Sequence, residues 1–210
     1  TDEIPNTLDT RFGIASGTKG LAAVTVMGLI EAGAFELATT ARSILGNDLP
    51  LIDQSVTIEA LLAHRSGIGD YLDEELLQEL DVWPFAVPAQ TLTVTTDYLA
   101  VLDGHPQKFA PGSQFSYCNG GYVVLALICE RATTAGFHQL VRNRVCEPAG
   151  MTATAFLAMN ELPADTAVGY LDDGRANTAN LPRCGSGDAG ISSTVADIRP
   201  FWCALVAGAV

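Results

Sequence analysis

Ser16 and Lys19 stand three residues apart in Ser16-Gly-Thr-Lys19, at the head of an apolar stretch that runs to about Ala32. Residues at that spacing share a helix face, so the lysine amine can reach the serine hydroxyl. The chain has two lysines, Lys19 and Lys108, and one of them occupies this turn. A helix N-terminus carries partial positive charge. That field, with burial, favours a neutral amine able to take the serine proton, and it stabilises an oxyanion forming beside Ser16. The chemistry expected is acyl transfer through a serine nucleophile. The same residues also fit a serine N-cap followed by a lysine that reaches solvent. Spacing alone leaves both readings open.

Tyr117-Cys-Asn119 follows the Pro111-Gly112 turn and opens a second apolar segment. A tyrosine beside an ammonium group can serve as phenolate base. Asn119 offers a donor and an acceptor to an ester or amide carbonyl. A core tyrosine with an N-capping asparagine fits the residues equally. In His64-Arg-Ser-Gly67 a histidine lies near a serine, yet the simpler reading is a helix end whose ring satisfies the last carbonyls, with Gly67 making the turn. His105 and His138 are given no chemistry. The acidic run Asp70 to Glu79 reads as a solvated loop or helix face without metal-ligand spacing.

The elements that must position these residues are mostly helical. Expected helices cover Ser16 to Ala32, Thr57 to His64 with Thr57 as N-cap, Thr95 to Leu102, Asn119 to Ala132, and Phe137 to Cys146, halted before Pro148. The first is apolar nearly all round and is expected to be buried. A last helix starts at Thr194, where Asp197 gives a capping-box-like start, and Pro200 falls in or near its first turns. Strand signals are few, Ala167 to Leu171 being one.

Length and composition bound the answer. The 210 residues can bury one core, hydrophobic residues are 48% and charged ones 17%, which suits a globular chain. A net charge of -13 argues against nucleic acid and against anionic membrane surfaces. Five cysteines without C-x-x-C spacing argue against a disulfide framework and a zinc site. No apolar run reaches membrane-spanning length. Thr1 to Thr10 lack signal-peptide character, and the unpaired cysteines lean towards a cytoplasmic location, with the compartment left open.

Taken in order, the segments resemble the serine β-lactamase and penicillin-binding-protein superfamily, on its class C-like and esterase branch. Asp9 to Lys19 looks like the nucleophile segment, and Leu61 to Gly67 is similar to the family's "LLTHTSG" turn. Phe109 to Asn119 is similar to "F-x-PG-x-x-F-x-Y-S-N", Pro148 to Thr154 to "PLGM-x-x-T", and Gly190 to Asp197 to "GGLVSTARDL". The resemblance covers nearly the whole chain. It implies an α+β fold, β-lactamase/transpeptidase-like, with a helical domain beside an antiparallel sheet; this chain would be mostly α-helical, with most of the sheet missing. It further implies that Ser16 is acylated, that Lys19 and Tyr117 share proton transfer, and that Asn119 is substrate-binding and helps hold Lys19. The Ser16 backbone N–H would be one oxyanion donor. The expected partner is a small-molecule ester, peptide or β-lactam substrate. No cofactor and no metal are expected, and the oligomeric state is left open.

The chain departs from that pattern in two respects. The family's third motif, Lys-Thr-Gly or His-x-Gly before an edge strand, is absent, and Cys118 stands where a serine is usual. The chain also stops on an apolar run, Phe201 to Val210. The expectation is therefore one domain over residues 1–210, mainly the helical part of the fold, in a polypeptide that continues beyond Val210. The rival expectation is a non-catalytic binding or scaffold homologue.

Overall fold

The computed structural model describes residues 4–73 and 87–210. Eight α-helices are formed there: α1 (Thr18–Glu31), α2 (Ala41–Leu45), α3 (Ile58–Leu62), α4 (Leu99–Leu102), α5 (Asn119–Thr133), α6 (Phe137–Val141), α7 (Glu147–Ala149) and α8 (Val195–Val206). Three short strands, β1 (Phe12–Gly13), β2 (Ala155–Phe156) and β3 (Ile191–Ser193), form one antiparallel sheet in the order β1-β3-β2. Phe12 faces Ser193 on one side of β3, and Phe156 faces Ile191 on the other. Among the described residues no helix is long and apolar enough to cross a membrane.

Helix α5 is the axis of the core. Every residue from Asn119 to Cys129 is buried, because Val123 to Ile128 are apolar without interruption and α1, α2 and α3 all pack around them. Burying each large side chain there contributes about 1.5–3 kcal/mol. The helix ends where Thr134 takes a left-handed conformation, and its N–H donates to the Glu130 carbonyl (2.7 Å). Helix α1 packs on α5, and its Leu21, Val26 and Leu29 are buried in the common core. It is not buried all round: Gly20, Met27 and Glu31 form a solvent-facing strip.

Local signals placed several helix starts well. The Thr57 hydroxyl accepts the Ala60 N–H (3.1 Å) before α3, and the Thr194 hydroxyl accepts the Asp197 N–H (3.1 Å) before α8. Both are N-caps whose partner lies three residues on. The expected Thr95 to Leu102 helix is a 3₁₀ turn, Thr95–Tyr98, running into α4.

Other expectations need correction. The fifth helix does not halt before Pro148: α6 passes through a π-type turn, Arg142–Cys146, into α7. Pro148 follows directly on that π-type turn, where the Glu147 N–H reaches back to the Arg142 carbonyl. Pro200 is the sixth residue of α8, in its second turn, in keeping with the expected place in or near the first turns. Residues 167 to 171 form no strand. Gly174 (φ 80°) turns the chain back so that Leu171 donates to the Arg175 carbonyl (2.8 Å), and only isolated bridges, Arg11–Thr166 and Tyr170–Ala176, are made.

Candidate active site

Ser16 sits in a 3₁₀ turn, Ala15–Gly17, between β1 and α1. Sheet contacts fix this turn. Ile14 donates its N–H to the Ile191 carbonyl (2.9 Å), and Ile191 donates its own to the Thr18 hydroxyl (3.1 Å). Ala15 has φ 45°, a left-handed conformation that L residues adopt at a cost and that is found chiefly where surroundings impose it. The helix proper begins at Thr18, so Ser16 lies one turn ahead of α1 rather than within it.

Lys19, on the first turn of α1, is buried. Its Nζ donates to Ser16 Oγ (3.2 Å), Asn119 Oδ1 (2.8 Å) and the Asp188 carbonyl (2.9 Å). Three acceptors match the full donor capacity of an ammonium. Nζ also stands 4.8 Å from the centroid of the Tyr117 ring. Tyr117 Oη lies 2.7 Å from Ser16 Oγ. The Ser16 oxygen thus sits between a lysine and a phenol contributed from 101 residues away. All four residues singled out in the sequence, Ser16, Lys19, Tyr117 and Asn119, are brought together.

Asn119 is the first residue of α5. Cys118, not Asn119, is the N-cap; its Sγ accepts the Gly121 N–H (3.3 Å). The Asn119 side chain is therefore turned to partners outside its own helix. Its Oδ1 takes the Lys19 bond, and its Nδ2 donates to the Leu72 carbonyl (2.9 Å).

His64 has a different place from the one expected. It stands at φ 54°, its Nδ1 accepts the Cys118 N–H (3.1 Å), and its ring packs against Tyr117 (centroids 4.6 Å) and Tyr122 (5.1 Å). Burial, and then the nearby Lys19 charge, push its pKa down, in keeping with a neutral ring that accepts at Nδ1. Gly67 makes the turn after it at φ 68°, where a Cβ would stand 2.2 Å from the Phe109 carbonyl.

Two carboxylates at the site were missed. Asp70, read as part of a solvated acidic run, is buried, and its two oxygens accept the N–H groups of Asn119 (2.6 Å) and Gly120 (2.8 Å). Asp73 of the same run pairs with Lys108 (2.5 Å), while residues 74–79 lie outside the described residues. Asp188 is buried in the glycine-rich Gly185–Gly190 loop, where its Oδ2 accepts the Tyr71 hydroxyl (2.5 Å). For Asp188 the available signal was a lone acid set among glycines and small residues, Gly187-Asp188-Ala189; Asp70, at the head of its acidic run, had only Gly69 before it to set it apart. Among the described residues no three metal-ligating side chains cluster.

Burial pushes the Asp188 carboxyl up to about 6, against the Tyr71 hydrogen bond and the Lys19 charge that favour its ionised form. A carboxyl raised above its unfolded value of 3.8 destabilises the folded state when ionised. That cost is full above pH 6 and is relieved as pH falls from about 6 towards 3.8. At about 1.4 kcal/mol per tenfold change in proton affinity it amounts to about 3 kcal/mol. Asp188→Asn should therefore gain stability relative to the unsubstituted protein as pH rises from 4 to 7, measured by urea unfolding at each pH. A difference independent of pH would show that Asp188 carries no such cost.

The site opens into a cleft of about 1410 Å³. Ser16, Asn119, Tyr71, Tyr98, Asp188 and Ile191 are among its walls. A helical body with a small antiparallel sheet, bearing a Ser-x-x-Lys turn that meets a Tyr-x-Asn segment beside a cleft, is the β-lactamase/transpeptidase-like fold. The chain belongs to the β-lactamase family, whose model matches residues 1–208. Its sequence is 32% identical over 135 residues to penicillin-binding protein 4* of Bacillus subtilis, covering 61% of this chain and 28% of that protein. It is 28% identical over 198 residues to the D-aminopeptidase of Brucella anthropi, covering 92% of this chain and 36% of the relative. The crystal structure of a penicillin-binding protein from Bacillus halodurans superposes with a TM-score of 0.91 at 37% identity, over 99% of this chain and 64% of that one. The chain thus spans about a third of the length of these curated relatives.

Proposed function

We propose that this chain carries the nucleophile side of a serine hydrolase that cleaves an ester, amide or β-lactam carbonyl through an acyl-enzyme. The observation that carries the reading is the Ser16 oxygen held between Lys19 Nζ at 3.2 Å and Tyr117 Oη at 2.7 Å. With the Lys19 ammonium beside it, Tyr117 acts as phenolate and takes the Ser16 proton as Oγ attacks the carbonyl carbon. The tetrahedral oxyanion is stabilised by the Ser16 backbone N–H and by the nearby positive charge. Its collapse breaks the bond to the leaving amine or alkoxide, which receives the proton from Tyr117. Water then attacks the acyl-Ser16 ester, giving its proton to Tyr117; collapse breaks the acyl–Oγ bond, Tyr117 passes that proton to Ser16 Oγ, and the carboxylic acid leaves. Asn119, at the cleft wall, holds Lys19 and faces the substrate carbonyl.

The names of the relatives, a penicillin-binding protein and a D-aminopeptidase, favour peptide-type amides of D-amino acids within this class. The test is covalent labelling of the full-length protein with a fluorophosphonate probe and with fluorescent penicillin, the adduct mapped by mass spectrometry. An adduct on Ser16 is expected. No adduct with either probe would sink the hydrolase reading in favour of a non-catalytic binding homologue. Rates on p-nitrophenyl butyrate, nitrocefin and D-alanine p-nitroanilide then rank ester, β-lactam and amide.

A further inference from the structure

Asn119 presents its Oδ1 to Lys19 only if the head of α5 is held still, and the ordinary means of holding it are weak here. A helix leaves its first N–H groups without intrahelical partners. The cap residue, Cys118, offers a thiol sulfur, a poor acceptor, and it serves Gly121. The N–H groups of Asn119 and Gly120 are instead taken by Asp70, one on each carboxylate oxygen, at 2.6 and 2.8 Å. A carboxylate facing the N-terminus of a fifteen-residue helix is also favoured by the helix field.

The same carboxylate shapes its own loop. Asp70 Oδ1 accepts the Leu72 N–H (3.2 Å), and the Leu72 carbonyl accepts Asn119 Nδ2 (2.9 Å). Backbone and side chain of Asn119 are thereby gripped by one short segment, residues 70–72. With Nδ2 committed to Leu72, the amide turns its oxygen towards Lys19 Nζ at 2.8 Å. Burial pushes the Asp70 carboxyl up, and the N–H groups of Gly120, Asn119 and Leu72 pull it back, as expected of a carboxylate kept for its hydrogen bonds.

We propose that Asp70 is a positioning residue of this site: its bidentate grip on the head of α5 orients Asn119, and through Asn119 the lysine that serves Ser16. The proposal rests on the hydrolase reading above. Asp70 touches none of the reacting atoms, so its loss should slow acylation without weakening substrate binding.

The experiment is a double-mutant cycle in the full-length protein, read as the acylation rate constant and apparent dissociation constant of a fluorophosphonate probe, well below the melting temperature. Asp70→Asn keeps the shape but turns an NH₂ group on to a backbone N–H. It should slow acylation roughly 10–100-fold with the probe's dissociation constant unchanged, in the range of lost positioning contacts. In the Asn119→Ala background the same substitution should cost less than about threefold, since the residue it acts through is gone. A purely structural role would give equal losses in both backgrounds, and that result, or an Asp70→Asn rate within twofold of the unsubstituted protein, would overturn the proposal. If Asp70→Asn does not fold, Asp70→Ser, which keeps one acceptor, takes its place with the same criteria. An unsubstituted protein that takes no label at all would overturn the hydrolase reading itself, a distinct outcome that removes this proposal with it.

Discussion

Alanine in place of Lys19 is expected to slow acylation of Ser16 by roughly 10²–10⁴-fold, the range of lost acid–base assistance. The side chain does three things at once. It puts positive charge 4.8 Å from the Tyr117 ring centre, it donates to the Ser16 oxygen at 3.2 Å, and it satisfies the Asn119 side chain and the Asp188 carbonyl. Under the proposed mechanism, removing it takes away the cation beside the Tyr117 ring and a donor to the Ser16 oxygen. It also leaves two buried acceptors short of a donor, at about 1–3 kcal/mol each unless water enters. The kinetic and structural losses are separable by measuring the probe's single-turnover labelling rate beside a thermal melt. Folded Lys19→Ala protein that labels at the normal rate would refute the role assigned to this residue.

The second large effect is expected at a residue with no side chain. Gly187 lies in the loop whose Asp188 carbonyl receives Lys19. A Cβ on Gly187 would stand 2.1 Å from the Tyr122 carbonyl oxygen and 2.9 Å from its carbon. Neither side can yield cheaply, because Tyr122 is backbone in the most buried stretch of α5. Gly187→Ala must push the loop outward, which costs about 3 kcal/mol by the measure of overpacked cores and lowers the melting temperature by about 6–12 °C. The Asp188 carbonyl would move off Lys19, so labelling of Ser16 should slow as well. Gly20→Ala is the control: Gly20 is an exposed α1 residue with nothing within 4 Å of its Cβ, and alanine there should be neutral or stabilising by up to about 1 kcal/mol. Equal melting temperatures for the two variants would refute the close-packing argument.

Two features of the site show how burial redirects groups that sequence patterns assign to solvent. The run beginning at Asp70 is acidic enough to read as a hydrated face, yet its first member is buried and bonded to three N–H groups. Composition averages over the run, whereas the fate of one carboxylate depends on which donors converge on it. His64 likewise ends a short helix, as expected, but its ring serves Cys118 in a distant segment rather than the carbonyls of its own helix.

What the sequence by itself determined is what short-range geometry dictates. The three-residue spacing of Ser16 and Lys19 made a shared face, and the same spacing made Thr57 and Thr194 into caps. The uninterrupted apolar run after Asn119 specified a buried helix, and the order of segments specified the family. The false strand at 167–171 marks the limit of that logic, since among the described residues its pairing stops at isolated bridges, Arg11–Thr166 and Tyr170–Ala176, instead of a ladder. What only the tertiary structure decided is the set of long-range contacts. Tyr117 reaches Ser16 across 101 positions, Asn119 reaches Lys19 across 100, and the Asp188 carbonyl reaches Lys19 across 169. Such contacts have no periodic signature, because they depend on how whole helices pack and where loops close. Ser16 and Lys19 were therefore legible as a pair, and Tyr117 and Asn119 through the order of segments, while the parts played by Asp70 and Asp188 became visible only once α5 and the 185–190 loop were packed against α1.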